Sequence, residues 1–211
     1  MIKTLFLTVV VLLFTGNVFA SSVSIESSGF LSGYKFYIVT KTINQVTTFF
    51  SNKGLLINNV RLIVVDDYIK YERVLREMDF SKQKIKQLSN DSSGVAFDNT
   101  VIVVYDRECS PSKISKSIAH ELTHQYQFAQ HGDRATDNMW MLEGAAEYVG
   151  HYFQHGSFPK KNKDQGIPKE EITKYQQWHS AIQKYGANRV YKQALFYYTE
   201  YLKTTGKDFT I

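Results

Sequence analysis

The sequence predicts an α+β fold, in which a small sheet flanked by helices is followed by a mainly helical C-terminal part. Residues 61–65 (RLIVV) are typical of a strand, and the apolar run at residues 101–105 (VIVVY) is typical of a buried strand. Ser110 and Pro111 supply an N-cap residue and a first-turn proline, so we expect a helix to begin there. Every element expected after residue 139 is a helix.

The individual elements follow from periodicity and from turn residues. In chain order, the expected strands are residues 35–40, 61–65 and 101–105. The expected helices are residues 42–51, 68–88 with a break near Asp79, 110–130, 139–153, 169–184 and 188–204. Polar loops are expected at residues 90–94 and 155–168.

Residues 1–20 have the pattern of a secretory signal peptide. Lys3 is followed by a mostly apolar stretch at residues 5–14, and Val18-Phe19-Ala20 resembles a cleavage site. We therefore expect cleavage near Ala20 and Ser21, a single mature domain at residues 21–211, and a secreted or periplasmic location. The apolar stretch is too short for a transmembrane helix, which needs about 20 apolar residues, and we expect no transmembrane segment elsewhere.

Charge and cysteine content exclude two further classes of protein. The formal net charge of +5 becomes +4 once Lys3, the single charged residue among the first twenty, is removed. The basic residues are dispersed except in residues 160–163 (KKNK), which we interpret as a solvated turn, so no nucleic-acid partner is expected. Cys109 is the only cysteine, which rules out an intramolecular disulfide.

The string His120-Glu121-Leu122-Thr123-His124 matches the zinc signature H-E-x-x-H. On a helix, residues four apart lie on one face, so both imidazoles can point at one ion. Leu122 belongs to an apolar stripe that recurs every fourth residue and lies on the opposite side of the helix from the histidines. The helix is therefore expected to turn one face to the core and the other to a metal.

A catalytic zinc centre on this motif would need a third protein ligand, because catalytic zinc sites use three protein ligands and structural ones use four. Eighteen residues separate His124 from Glu143, which stands within residues 140–148 (WMLEGAAEY). H-E-x-x-H-x18-E, with its Glu inside W-x-x-E-G-x-A, resembles the gluzincin metallopeptidases, above all aminopeptidase-N-like catalytic cores and small peptidase MA-like domains. The resemblance covers about residues 94–205 and is most specific at residues 117–148.

This resemblance implies a zincin-like fold, with a small mixed sheet packed on the active-site helix, and a zinc-dependent peptidase acting on peptide or protein substrates. It assigns the zinc ligands to His120, His124 and Glu143, and the general base that activates water to Glu121. Further assignments are Glu147, which would hydrogen-bond a ligand histidine, and Tyr191, which would stabilise the oxyanion, with Tyr197 and Tyr198 as competing candidates. In zincins the strand upstream of the motif binds substrate, and here the candidate is residues 96–105.

The motifs of other metallopeptidases fit the sequence less well. The metzincin signature would need Gly and His at Gln127 and Gln130, and the motif that surrounds the cysteine ligand of peptide deformylases is absent around Cys109. Residues 94–99 (GVAFDN) match poorly the G-x-M-E-N motif that holds the substrate amine in aminopeptidases, which favours an endopeptidase.

The alternative function is a catalytically silent zincin-fold module that binds a protein or cell-envelope partner. Glu121 argues against it, because a purely structural zinc site has no use for a base. A structural zinc protein without hydrolysis would need a fourth protein ligand, for which the sequence offers no candidate. The remaining histidines that show no ligand spacing, interpreted as surface or core residues, are His151, His155 and His179.

Overall fold

The computed structural model describes residues 7–11, 22–29, 31–160 and 162–207. Within these residues the chain is mixed α+β, with seven α-helices and one mixed sheet. The chain divides into two compact units, Met1–Gln125 and Tyr126–Ile211. The boundary falls inside the helix Pro111–His131, so that one helix contributes to both units. The predicted α+β class is confirmed.

The first unit contains the sheet. Its strands are β1 (Leu7–Val11), β2 (Val23–Ser28), β3 (Val60–Val65), β4 (Gly94–Phe97) and β5 (Thr100–Val104). They lie in the order β1-β2-β3-β5-β4, with β2, β3 and β5 parallel and the edge strands β1 and β4 antiparallel to their neighbours. The helices of this unit are α1 (Gly33–Ser51), α2 (Tyr68–Glu77), α3 (Lys82–Asp91) and most of α4 (Pro111–His131).

Both faces of the central strands are buried. Ile63, Val65, Ile102 and Val104 form one core cluster with side chains of α2 and α3. Successive side chains of a strand point to opposite faces, and the alternate residues are also fully buried: Leu62, Val64, Val101 and Val103. Near-continuous apolar runs are what parallel strands covered on both faces require, which explains why β3 and β5 could be predicted.

The regular secondary structure of the second unit is entirely helical within its described residues. After the end of α4, it contains a short 3-10 helix (Gly132–Asp137), α5 (Met139–His155), a second 3-10 helix (Lys169–Ile172), α6 (Tyr175–Tyr185) and α7 (Ala187–Thr205). Its core joins Trp140 and Leu142 of α5 to Trp178 of α6 and to Val190 and Ala194 of α7. The predicted mainly helical C-terminal part is confirmed.

Helix α4 begins as the sequence predicts. The Ser110 hydroxyl accepts a hydrogen bond from the Lys113 backbone N–H at 3.3 Å, and Pro111 is the first helical residue. The helix ends at His131, one residue beyond the expected end. The break in the preceding helical stretch is also confirmed, because α2 ends at Glu77 and Asp79 has a φ of +61°.

The predicted strand at residues 35–40 is wrong, because these residues lie in α1. Ser32 caps this helix by accepting a hydrogen bond from Lys35 N–H at 3.3 Å. The fully buried residues of α1 recur at helical spacing and continue into the part that was predicted as helix: Val39, Ile43, Val46 and Phe50. Burial of this stripe outweighs the β-propensity of the short run KFYIVT.

The expected substrate strand at residues 96–105 is also wrong as a single element. The chain turns back at Asp98 and Asn99, with φ of +44° at Asp98, so this segment is a hairpin of β4 and β5. The edge strand is β4, whereas β5 lies inside the sheet between β3 and β4. Strand β2, in which Val23 and Ile25 are buried at alternate positions, was not predicted.

The predicted signal peptide falls largely outside the described residues, which within residues 1–20 include only the strand β1. It therefore stays a prediction. Among the helices in the described part of the chain, none combines the length and the apolar character needed to cross a membrane.

Candidate metal centre

Helix α4 buries the whole of the H-E-x-x-H motif. His120, Glu121 and His124 are 9%, 8% and 7% exposed. The apolar stripe of the same helix is fully buried, with Ile118 and Leu122 at 0% exposure. Burying three polar side chains costs free energy unless they are paired or bound to a ligand. The burial of all three therefore indicates polar partners for them.

The two imidazoles of the motif converge on one point. The Nε2 atoms of His120 and His124 are 3.1 Å apart, and the ring centroids are 4.8 Å apart with the planes nearly perpendicular at 84°. Two nitrogens bound tetrahedrally to one zinc ion at about 2.0–2.1 Å would be about 3.3 Å apart. The observed separation is close to this value, and it also lies within hydrogen-bonding distance of the two nitrogens.

Glu143 lies in the first turn and a half of α5, where a buried hydrogen bond fixes the backbone. Gln127 of α4, one turn after His124, donates from Nε2 to the carbonyl oxygen of Leu142 at 2.9 Å. Glu143 follows Leu142 directly and is 9% exposed. Within the described residues, His120, His124 and Glu143 form a group of potential metal ligands. One donor atom of each lies within 4.8 Å of those of the other two.

The chemistry of these donors suits zinc. Two imidazole nitrogens and one carboxylate oxygen are the ligand set of open zinc sites, which leave a coordination position for water or substrate. Calcium and magnesium, by contrast, prefer oxygen ligands alone. The structure thus brings together the three residues that the sequence nominates as ligands.

Glu121 lies against the edge strand of the sheet. A Cβ atom at Gly94, the first residue of β4, would stand 2.9 Å from both Cγ and Oε1 of Glu121. The start of β4 is tied to the same helix one turn earlier, where the Ser93 and Ser117 hydroxyls are 3.0 Å apart. The Glu121 carboxylate is therefore placed directly beside the backbone of an edge strand.

Tyr71 of α2 is a buried residue whose pKa is affected by Glu121 and that sequence reasoning missed. Its side chain is fully buried. Burial is the main cause that raises the pKa of the Tyr71 hydroxyl well above its usual range, and the negative charge of Glu121 acts in the same direction. Tyr71 is thus a neutral phenol near the motif carboxylate. Neither Tyr71 nor Gly94 belongs to a recognisable motif, so only the tertiary fold identifies them.

The three candidate tyrosines of α7 have different surroundings. The Tyr191 ring packs edge-on against Trp178, with centroids 5.3 Å apart. The Tyr197 hydroxyl donates to the carbonyl oxygen of Ile167 at 2.8 Å. Tyr198 is fully buried and lies beside Gly144, the residue after Glu143. The role of Tyr191 stays a prediction, and Tyr198 is the tyrosine seen against the ligand-bearing turn of α5.

Glu147 stands one turn after Glu143 on α5 and is half-buried. This is the position from which the resemblance expects a hydrogen bond to a ligand histidine, and that role stays a prediction. Cys109 lies in the loop before α4, half-buried, where its backbone N–H donates to Asp106 Oδ1 at 2.8 Å.

Comparison of the chain with known protein families, with curated protein sequences and with solved structures finds no match. The interpretation of the site consequently depends on its own residues and geometry.

Proposed function

We propose that this protein is a zinc-dependent peptidase of the gluzincin type. The observation that carries the proposal is the convergence of His120, His124 and Glu143, with Glu121 on the helical turn between the two histidines. Three ligands of this kind suit a zinc ion that keeps a position open. A carboxylate that is not one of the three is the extra group that hydrolysis needs and a structural site does not.

His120, His124 and Glu143 would hold the zinc ion, which when bound supplies Lewis acidity to the scissile carbonyl and lowers the pKa of water. Glu121 would accept the proton of the attacking water and pass it to the departing amine. Its place beside Gly94, the first residue of the edge strand β4, supports the proposal of a zincin-like fold.

The position of strand β4 supports the proposal that the substrate is a peptide. It stands at the end of the strand order and runs antiparallel to β5, so an extended peptide could add to it as a further strand. Gly94 places the first residue of this strand next to Glu121. Because residues 94–99 lack the motif that holds a free amine in aminopeptidases, we propose endopeptidase activity.

The test is cleavage of a quenched fluorescent peptide library by the wild type and by Glu121→Gln, with zinc content measured in both. We expect equal zinc in both proteins and a fall in kcat/KM of about 10²–10⁴-fold in the variant, the usual contribution of a general base. Glu108→Gln is the matched control, because Glu108 is exposed in the loop before α4.

Equal cleavage by Glu121→Gln and the wild type would contradict the proposed base. A wild type that binds zinc and cleaves no peptide would instead support the alternative, a module that binds a protein or cell-envelope partner.

A further inference from the structure

The end of α5 carries two histidines that the candidate metal centre does not use. His151 and His155 lie four residues apart, so they share one face of the helix. Their ring centroids are 4.4 Å apart with the planes tilted by 46°. The ring separation is close to that of His120 and His124, but His151 is only half-buried and His155 is exposed.

One of these imidazoles is held in a defined tautomer. His151 Nδ1 lies 3.1 Å from the carbonyl oxygen of Ser157. A carbonyl oxygen only accepts, so Nδ1 carries the hydrogen and the neutral ring keeps its lone pair on Nε2. Histidines that bind metals in proteins have this arrangement, in which the second ring nitrogen donates to a carbonyl or carboxylate and orients the ring.

The conformation of the chain after α5 brings the carbonyl group of Ser157 back to His151. Gly156 follows the last helical residue with φ of +72°, a conformation that glycine adopts without strain, and its N–H bonds to the carbonyl of Tyr152 at 2.8 Å. Phe158 then stacks on the rings of Tyr148 and Tyr152, with centroids 4.5 Å away in each case. Ser157 is therefore fixed between a helix cap and a stacked aromatic side chain.

We propose that His151 and His155 form a second cation site, for Zn²⁺ or Cu²⁺. Imidazole nitrogen suits both ions, and the affinity of such a site for first-row divalent metals is highest for copper. Two protein ligands leave the remaining coordination positions to water. The second site is consequently accessible and exchanges its ion readily, unlike the buried three-ligand centre. It depends only on α5 and its cap and not on the proposed peptidase activity.

The test counts zinc equivalents by equilibrium dialysis for the wild type, His151→Ala, His155→Ala, His124→Ala and the control His131→Ala, an exposed histidine at the end of α4. We expect two equivalents in the wild type and the control, and loss of the weaker equivalent in His151→Ala and in His155→Ala. Copper added to the zinc-loaded wild type should show imidazole nitrogen hyperfine splitting by electron paramagnetic resonance, and that splitting should be lost in both variants.

A wild type with a single equivalent that His124→Ala removes would overturn the second site, and so would a second equivalent that survives both α5 substitutions. A single equivalent that His151→Ala removes and His124→Ala leaves would support the second site while contradicting the candidate centre. Because His151 and His155 are not core residues, circular dichroism should show unchanged folding in their variants.

Discussion

The Glu121 side chain approaches the backbone of Gly94 so closely that there is no room for a methyl group at residue 94. Gly94 lacks a positive φ, so its backbone would accept alanine, but the added Cβ would stand 2.9 Å from the Glu121 carboxylate oxygen and must displace it. We expect Gly94→Ala to lower kcat by on the order of 10²-fold, the cost of misplacing a catalytic group by about 1 Å, with zinc content unchanged.

The control for this substitution is Gly33→Ala, because a Cβ at Gly33 would meet no atom within 4 Å and the residue is exposed. Peptidase kinetics and metal analysis of the two variants check the prediction. If Gly94→Ala kept wild-type kcat, the close approach of β4 to Glu121 would have no part in positioning the base.

The proximity of some candidate residues could be predicted because it is dictated locally. His120 and His124 share a helical face by the periodicity of the α-helix alone, and a family pattern nominates Glu143 by its distance from them. Gly94 and Tyr71 could not be nominated in this way, because only the pairing of β4 places Gly94 beside Glu121 and only the fold buries Tyr71 where the charge of Glu121 affects its pKa. Their types are ordinary for a strand and for a helix, and no spacing marks them.

At the scale of elements, the packing of α5 on α7 depends on a glycine. A Cβ at Gly144 would lie 2.6 Å from the carbonyl oxygen of Ala194 and 2.7 Å from Cβ of Tyr198. The first of these atoms is backbone, so the two helices must separate to admit a methyl group. We expect Gly144→Ala to destabilise the protein by about 1–3 kcal/mol, the usual cost of overpacking.

Chemical denaturation measures this cost, and Gly33→Ala again serves as the control that adds a methyl group to a helix without a clash. Because Gly144 follows Glu143, we also expect weaker zinc binding in Gly144→Ala. An unchanged midpoint with unchanged zinc affinity would mean that α5 and α7 tolerate separation at this point.

The elements that could be predicted carry unambiguous signals. Strands β3 and β5 are near-continuous apolar runs, and α4 has a capping serine and a first-turn proline. The start of α1 resembles a strand when its six residues are seen without the buried stripe that continues to Phe50. The hairpin of β4 and β5 has a weak local signal, because Asp98 and Asn99 are the only turn residues between the two strands.

At the level of the whole molecule, we expect zinc to stabilise the folded protein. A ligand that binds only the folded state adds about 2.7 kcal/mol at a hundredfold excess over its Kd. In a chain of this size, 1 kcal/mol shifts Tm by roughly 2–4 °C, so we expect zinc to raise Tm by roughly 5–11 °C.

Thermal unfolding with zinc and with a chelator measures this shift. His124→Ala should lose most of it, since it removes one ligand of the three, whereas His131→Ala should retain it. A Tm that is the same with zinc and with chelator would show that zinc does not bind the folded protein in this way.

The α+β class could be predicted because it needs only the order of elements along the chain. The division at residue 125 could not, because it falls within the uninterrupted helix α4, where neither composition nor a linker marks it.

Anomalous diffraction at the zinc edge, from crystals grown with one equivalent of zinc, would locate the ion and its ligands. We expect one strong peak about 2.0–2.2 Å from Nε2 of His120, Nε2 of His124 and a carboxylate oxygen of Glu143. A peak held by other side chains, or by four protein ligands at this position, would contradict an open catalytic centre on α4 and α5.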